Sequence, residues 1–169
     1  MSKIKGKRAA TLIILLLIAA GFWQWHRYAT GQTLISDAKL TELFRRNQAT
    51  FERLHQMAVE DNLKGRIGTN YVDDKDLATR RLEEYRQRMR DSGVQMLSFD
   101  RERGAIFFMI HSQGTVIAGR SKGIAYFIGP PKSRIADSLD KPCLTPEESV
   151  CGVVRHIEGD WWMLRQDSR

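Results

Sequence analysis

The stretch AIFFMIH, residues 105–111, decides the fold class of this chain. Six of its seven residues are apolar, and turn residues bracket it, with Gly104 before it and Gly114 after it. Such a run predicts a β-strand. Similar short runs recur on both sides of it, at residues 94–99, 115–118, 124–128, 153–157 and 161–164. Because most gaps between these runs are only about three to six residues long, they predict hairpins and hence antiparallel pairing.

The segment GRSKG, residues 119–123, lies between two of these predicted strands and is interpreted as a hairpin turn. It resembles a phosphate-binding loop only superficially, because the pattern GxxxxGK[ST] is absent and no helical pattern follows. The longest irregular connection, residues 129–152, contains all four prolines of the chain. Its length suggests a functional loop, and the alternative is a crossover that leads to the last hairpin.

Two amphipathic helices are predicted before the strands. Ser36 is a favourable N-cap for the first helix, whose apolar residues recur at helical spacing as far as Asp61. The second helix follows the acidic residues within 73–76 and ends at Gly93, a residue type favoured just after a helix. Residues 62–71, which contain two glycines, are interpreted as a loop between the helices.

These elements together predict an α+β fold for residues 36–169. We expect two amphipathic helices to pack on one face of a five- or six-stranded antiparallel meander. A region of this length buries about two-thirds of its unfolded surface, so we expect it to fold as a single domain.

The cysteines Cys143 and Cys151 lie close together in the long connection. In an oxidising compartment a disulfide between them would close a short loop and stabilise the fold by about 2–3 kcal/mol. A zinc site needs four ligands, usually with a second cysteine pair, which the sequence lacks. The disulfide is therefore the favoured interpretation, with two free thiols as the alternative, and no metal or other cofactor is expected.

Residues 9–25 are predicted to form a transmembrane signal anchor. They are almost entirely apolar, four basic residues precede them within residues 1–8, and Trp23, Trp25 and Tyr28 follow as a membrane-interface cluster. At about 1.5 Å per residue such a helix is about 25 Å long, slightly shorter than the hydrocarbon core of a bilayer. The alternative is a cleaved signal peptide, because residues 19–21 are small.

The distribution of charge predicts the orientation and the compartment. Five of the seven net positive charges lie within residues 1–30, and residues 31–169 are nearly neutral. The positive-inside rule therefore keeps residues 1–8 in the cytoplasm and exports the domain, with residues 26–35 as a linker. We expect a single-pass protein of a bacterial inner membrane with a periplasmic domain and no nucleic-acid partner. A lipoprotein is excluded, because no cysteine precedes Cys143.

Histidines are the main candidates for chemistry. Glu52 and His55 form a single ExxH pattern, whereas di-iron bundles need two copies and further glutamates. His111 and His156 lie in predicted strands and would form an acid–base pair only if those strands were neighbours. No GxSxG motif accompanies them. We therefore expect a non-enzymatic protein, with an envelope hydrolase as the remote alternative.

Two groups of residues are candidates for binding. Trp161 and Trp162 are adjacent, so their rings point to opposite faces of a strand. One of them is expected in the core, and the other is either covered by a helix or exposed as a binding anchor. Arg86 and Arg90 belong to an arginine-rich face of the second helix, which either meets phosphate or an acidic partner, or is a solvated face with ion pairs within the helix.

A small, membrane-anchored domain without a catalytic motif suggests a protein that binds another protein of the envelope. Within that class an inhibitor or immunity-type protein is the favoured hypothesis, because an anchor keeps such a protein where its target arrives. The alternative is a structural accessory subunit of a secretion or other envelope complex.

Overall fold

The computed structural model describes Gly21 and residues 34–100, 104–114, 119–145 and 147–169. Leu34–Arg169 form one compact unit. None of the helices formed by the described residues is long and apolar enough to cross a membrane. Apart from Gly21, the predicted anchor at residues 9–25 lies outside this part of the chain, as do its interface residues Trp23, Trp25 and Tyr28.

Among the described residues, three helices pack on the sheet: α1 (Asp37–Arg46), α2 (Gln48–Glu60) and α3 (Thr79–Ser92). The prediction of one long first helix is wrong, because the helix is interrupted at Asn47, whose backbone dihedral angles lie outside the helical region. The side-chain amide and the backbone N–H of Asn47 both donate hydrogen bonds to the carbonyl oxygen of Leu43, and these bonds end α1. The N-cap at Ser36 and the left-handed Gly93 after α3 are confirmed.

The sheet has seven strands: β1 (Arg66–Gly68), β2 (Met96–Asp100), β3 (Ala105–Gly114), β4 (Gly119–Phe127), β5 (Arg134–Ile135), β6 (Val150–Glu158) and β7 (Trp161–Ser168). Their spatial order is β1-β2-β3-β4-β7-β6-β5, and only the β5–β6 pair is parallel. The α+β class is confirmed. The meander of five or six strands is wrong, because β7 lies between β4 and β6, and β1 and β5 lie within segments interpreted as loops.

The GRSKG segment is also different from the prediction, since residues 119–123 form the first half of β4. A β-bulge between Met109 and His111 brings β3 very close to this strand. A Cβ atom on Gly123 would lie only 2.0 Å from the carbonyl oxygen of Phe108. Glycine is thus required here for a close approach of two backbones and not for a turn. The predicted strand at residues 115–118 falls outside the described residues.

Apolar side chains are buried on both faces of the sheet. The larger cluster lies under the helices, where the rings of Phe44, Phe51, Phe108 and Trp161 contact one another. A second cluster on the opposite face consists of strand residues alone: Ala105, Phe107, Ala125, Phe127, Val154 and Leu164, with Met109 and Trp162 packed against them. The central strands are therefore apolar on both sides, unlike a sheet with one solvated face.

Candidate functional site

The two tryptophans occupy opposite faces of β7. Trp161 is buried under the helices, with its ring 5.2 Å from that of Phe44 and 5.1 Å from that of Tyr126. Trp162 is half-buried on the other face, where its ring lies 4.8 Å from that of His156. They do not form one site, and of the two only Trp162 presents appreciable surface to a partner.

Apolar residues lie on the same face as Trp162 along β5, β6 and β7, the three strands at that edge of the sheet. We call this surface the outer patch and define it by Ile135, Val150, Gly152, His156 and Trp162. Ile135 is 64% exposed and Val150 is 68% exposed, which is high for large aliphatic side chains. A Cβ atom on Gly152 would meet no other atom within 4 Å, so the patch is open at that position.

Strand register places the members of the outer patch on one face. His156 lies opposite Trp162, Gly152 opposite Gln166, and Ile135 beside Val154. None of the residues of β5, β6 and β7 that share this face carries a formal charge at neutral pH: Ile135, Val150, Gly152, Val154, His156, Trp162, Leu164, Gln166 and Ser168. Because solvated strand faces usually carry charged side chains, this composition is typical of a contact surface.

A buried ionic cluster lies on the helix side of the same sheet. Lys122, with no exposed side-chain surface, places its ammonium group 2.5 Å from Asp37 and 2.8 Å from Asp140. Arg155 approaches the other oxygen of Asp37 at 3.0 Å. The same oxygen of Asp37 also accepts a hydrogen bond from the backbone N–H of Leu139, at 2.9 Å. The cluster therefore joins the start of α1, the strand β4 and the connection after β5.

The charge state of Asp37 follows from these contacts. Burial alone would raise the pKa of its carboxyl group, but hydrogen bonds from Lys122, Leu139 and Ser138, with the charge of Lys122, bring that pKa below its usual value. Asp37 is therefore ionised at neutral pH, as an ion pair with a buried lysine requires.

A second set of contacts fixes the long connection to β7. Arg165 and Asp167 are almost fully buried and form an ion pair at 2.9 Å. Arg165 also donates to the carbonyl of Leu139, and Asp167 accepts from the N–H of Cys143. The predicted disulfide between Cys143 and Cys151 is present. The long connection is thus attached to β6 and β7 at several points, as expected if it serves as a crossover to the last hairpin.

The arginine-rich face of α3 divides into paired and unpaired cations. Arg81 contacts Asp61, Glu60 and Glu84, and these contacts raise its pKa further, despite burial. Arg86 lies 3.6 Å from Glu83. Arg90 is exposed and donates only to the amide oxygen of Gln87 within the described residues. The structure thus does not bring Arg86 and Arg90 near Trp162.

The histidines are dispersed. His111 on β3 and His156 on β6 are separated by two strands, so the neighbouring arrangement required for an acid–base pair does not occur. His111 instead accepts a hydrogen bond at Nδ1 from the backbone of Ile35. His55 on α2 stacks on Tyr126 with 4.0 Å between ring centroids, and burial lowers its pKa.

The buried ionic cluster was missed by the sequence interpretation, although one signal pointed to it. Period-two alternation places Lys122 on the same face of β4 as Ile124 and Tyr126, which is the core face. A lysine at such a position needs a buried carboxylate partner. Among the described residues no group of three or more His, Cys, Asp or Glu side chains is arranged to hold a metal ion.

Comparison with protein-family models, with curated proteins and with solved structures gives no match for this chain.

Proposed function

We propose that this chain is a membrane-anchored, non-enzymatic protein of the bacterial envelope that binds another protein through its outer patch, as an inhibitor or immunity-type protein does. The anchor is the apolar segment at residues 9–25, and the periplasmic domain is the α+β unit that follows it. The observation that carries the proposal is the outer patch, an open apolar surface without formal charge.

The composition of the patch suits a protein partner. The centres of protein interfaces are depleted in charged residues and enriched in aromatic ones. Trp162 supplies a large side chain whose position is fixed by His156 and Phe127 on either side. Ile135 on β5 and Val150 at the start of β6 lie on the same face of the sheet as Trp162, are exposed, and would lose unfavourable contact with water when a partner covers this face.

The contacts of the buried charged side chains also favour binding over catalysis. The carboxylates and cations that are buried among the described residues contact one another or the backbone: Asp37, Asp74, Lys122, Arg165 and Asp167. They hold the fold and leave little free acid–base capacity.

Substitution of Gly152 tests the proposal. Because the position is open and the backbone extended, Gly152→Glu should fold normally and place a charge at the centre of the patch. Full-length protein would be solubilised in mild detergent, immobilised and exposed to periplasmic extract. We expect wild-type protein to retain a discrete partner, Gly152→Glu to lose it, and Val59→Glu to keep it, since Val59 is exposed on α2 outside the patch. Retention of the partner by all three proteins, or by none of them, would rule out the patch as the binding surface.

A further inference from the structure

A cleft between α1 and α3 lies where the chain enters the domain. Ile35 lines it, and its backbone N–H donates to His111 at 3.0 Å, which fixes this entry point on the domain. Leu43 lies 3.7 Å from the position that a Cβ atom on Gly93 would take, so the two helices nearly meet at the floor of the cleft. The floor is therefore apolar and only partly covered.

Cations surround this floor. The exposed residues Lys39, Arg46 and Arg90 line the cleft, together with the carboxylates of Glu42 and Asp91. Glu42 forms an ion pair with Arg46, and Asp91 accepts a hydrogen bond from Gln87. Lys39 and Arg90 consequently have no carboxylate within ion-pair distance among the described residues, and they can meet an external anion without first breaking an ion pair.

The length of the chain before the cleft limits how far it lies from the predicted membrane. Nine residues, 26–34, separate the end of the apolar segment from Ile35. Fully extended, they reach about 30 Å. A tether of this length holds the cleft at a high effective concentration relative to the membrane surface, so even a weak electrostatic contact is populated.

From these observations we propose that the cleft between α1 and α3 binds the anionic headgroups of phospholipids in the membrane that anchors the chain. The proposal rests on the anchor of the proposed function. Lys39 and Arg90 contact lipid phosphate, and Ile35 and Leu43 form the apolar floor behind the bound headgroup. Each basic residue near an anionic surface contributes a favourable free energy that salt weakens. The contact gives the domain a fixed orientation on the membrane.

The experiment uses full-length protein in lipid nanodiscs. An Ala49→Cys variant carries a donor fluorophore at an exposed position of α2, because both native cysteines are in the disulfide and do not react. An acceptor is placed on the lipid headgroups. We expect energy transfer to be higher in nanodiscs with about 30% phosphatidylglycerol than in phosphatidylcholine alone, and about 0.5 M salt should remove the difference.

A matched pair of double variants assigns the effect to the cleft. Lys39→Gln with Arg90→Gln should lower the ratio of docked to undocked domain about tenfold in the anionic nanodiscs. Arg45→Gln with Arg80→Gln removes the same charge from exposed positions of the same two helices outside this cleft and should leave the ratio unchanged.

Three results would overturn the proposal. Energy transfer that does not depend on phosphatidylglycerol, or equal loss in both double variants, excludes the cleft as a headgroup site but leaves the anchor and the outer patch standing. Failure of the chain to co-elute with nanodiscs refutes the anchor as well, which separates the failure of the two proposals.

Discussion

Lys122 and Asp37 form an ion pair of 2.5 Å in which the lysine side chain has no exposed surface. Replacing Lys122 by methionine leaves the Asp37 carboxylate buried with one fewer cation. We expect Lys122→Met to lower the free energy of unfolding by about 3–5 kcal/mol, as is typical when one partner of a buried pair is removed. Urea denaturation followed by circular dichroism measures the change.

Arg155 provides the control for this prediction, because it contacts the same carboxylate from a side chain that is 41% exposed. Arg155→Met should cost no more than about 1 kcal/mol. Equal losses in the two variants would show that the burial of Lys122 contributes nothing special to its pairing with Asp37.

Acid should weaken the buried ionic cluster. Since the pKa of Asp37 is lower in the folded protein than in the unfolded chain, its contribution to stability is fully present above about pH 4. That contribution is lost as the pH falls through the lower, folded pKa. The urea midpoint of wild-type protein should therefore fall more steeply below pH 4 than that of Asp37→Asn. Parallel curves would contradict the assigned pKa direction.

The disulfide should stabilise the domain to an extent set by its small loop. Cys143 and Cys151 are eight positions apart, for which the chain-entropy model gives about 2–3 kcal/mol. Cys143→Ser combined with Cys151→Ser should lower the free energy of unfolding by that amount, and a reducing agent should lower it in wild-type protein alone. If the reducing agent weakens the double variant equally, the effect does not come from the disulfide.

Two glycines should respond to alanine in opposite ways. Gly123→Ala forces a Cβ atom against the carbonyl of Phe108 in a backbone contact that has no flexible side chain to yield. We expect a loss of at least about 2 kcal/mol in the free energy of unfolding. Gly152→Ala adds a Cβ into open space in an extended strand and should be neutral or slightly stabilising. Thermal melts of the two variants distinguish these outcomes, and similar melting temperatures would refute the close approach at Gly123.

His55 should make stability fall as the pH drops below neutrality. Burial against Tyr126 lowers the pKa of His55, so the folded state favours the neutral imidazole. Its contribution is present above the ordinary histidine pKa of about 6.5 and is lost as the pH falls toward the lower, folded value. His55→Phe keeps the stacked ring without the titration and should flatten the urea midpoint over this range. An unchanged slope in the variant would show that His55 is not responsible.

The features that the sequence allowed us to predict are those with a strong local cause. Ser36 and Gly93 mark helix ends because their side-chain or backbone chemistry favours those positions. The disulfide follows from the proximity of two cysteines. The apolar runs that lie in β3 and β7 are long enough for their composition to predict strands.

The features that escaped prediction depend on contacts between distant segments. The apolar stripe continues from Phe44 to Phe51 across the break at Asn47, so periodicity shows no interruption there. The strands β1 and β5 have three and two residues and are too short to show any alternation. The candidate site has the same limitation, because alternation separates Trp161 from Trp162 but does not indicate which of them faces the helices.

The position of β7 in the sheet has a consequence for the order of folding. Residues 161–168 form the strand nearest the C-terminus, yet they pair on one side with β4 and on the other with β6. Without β7, the other described strands can pair only as two separate groups, β1–β4 and β5–β6, each with an open edge. The two groups can therefore join only after residues 161–168 have been synthesised, and loss of these eight residues would leave the sheet divided in two.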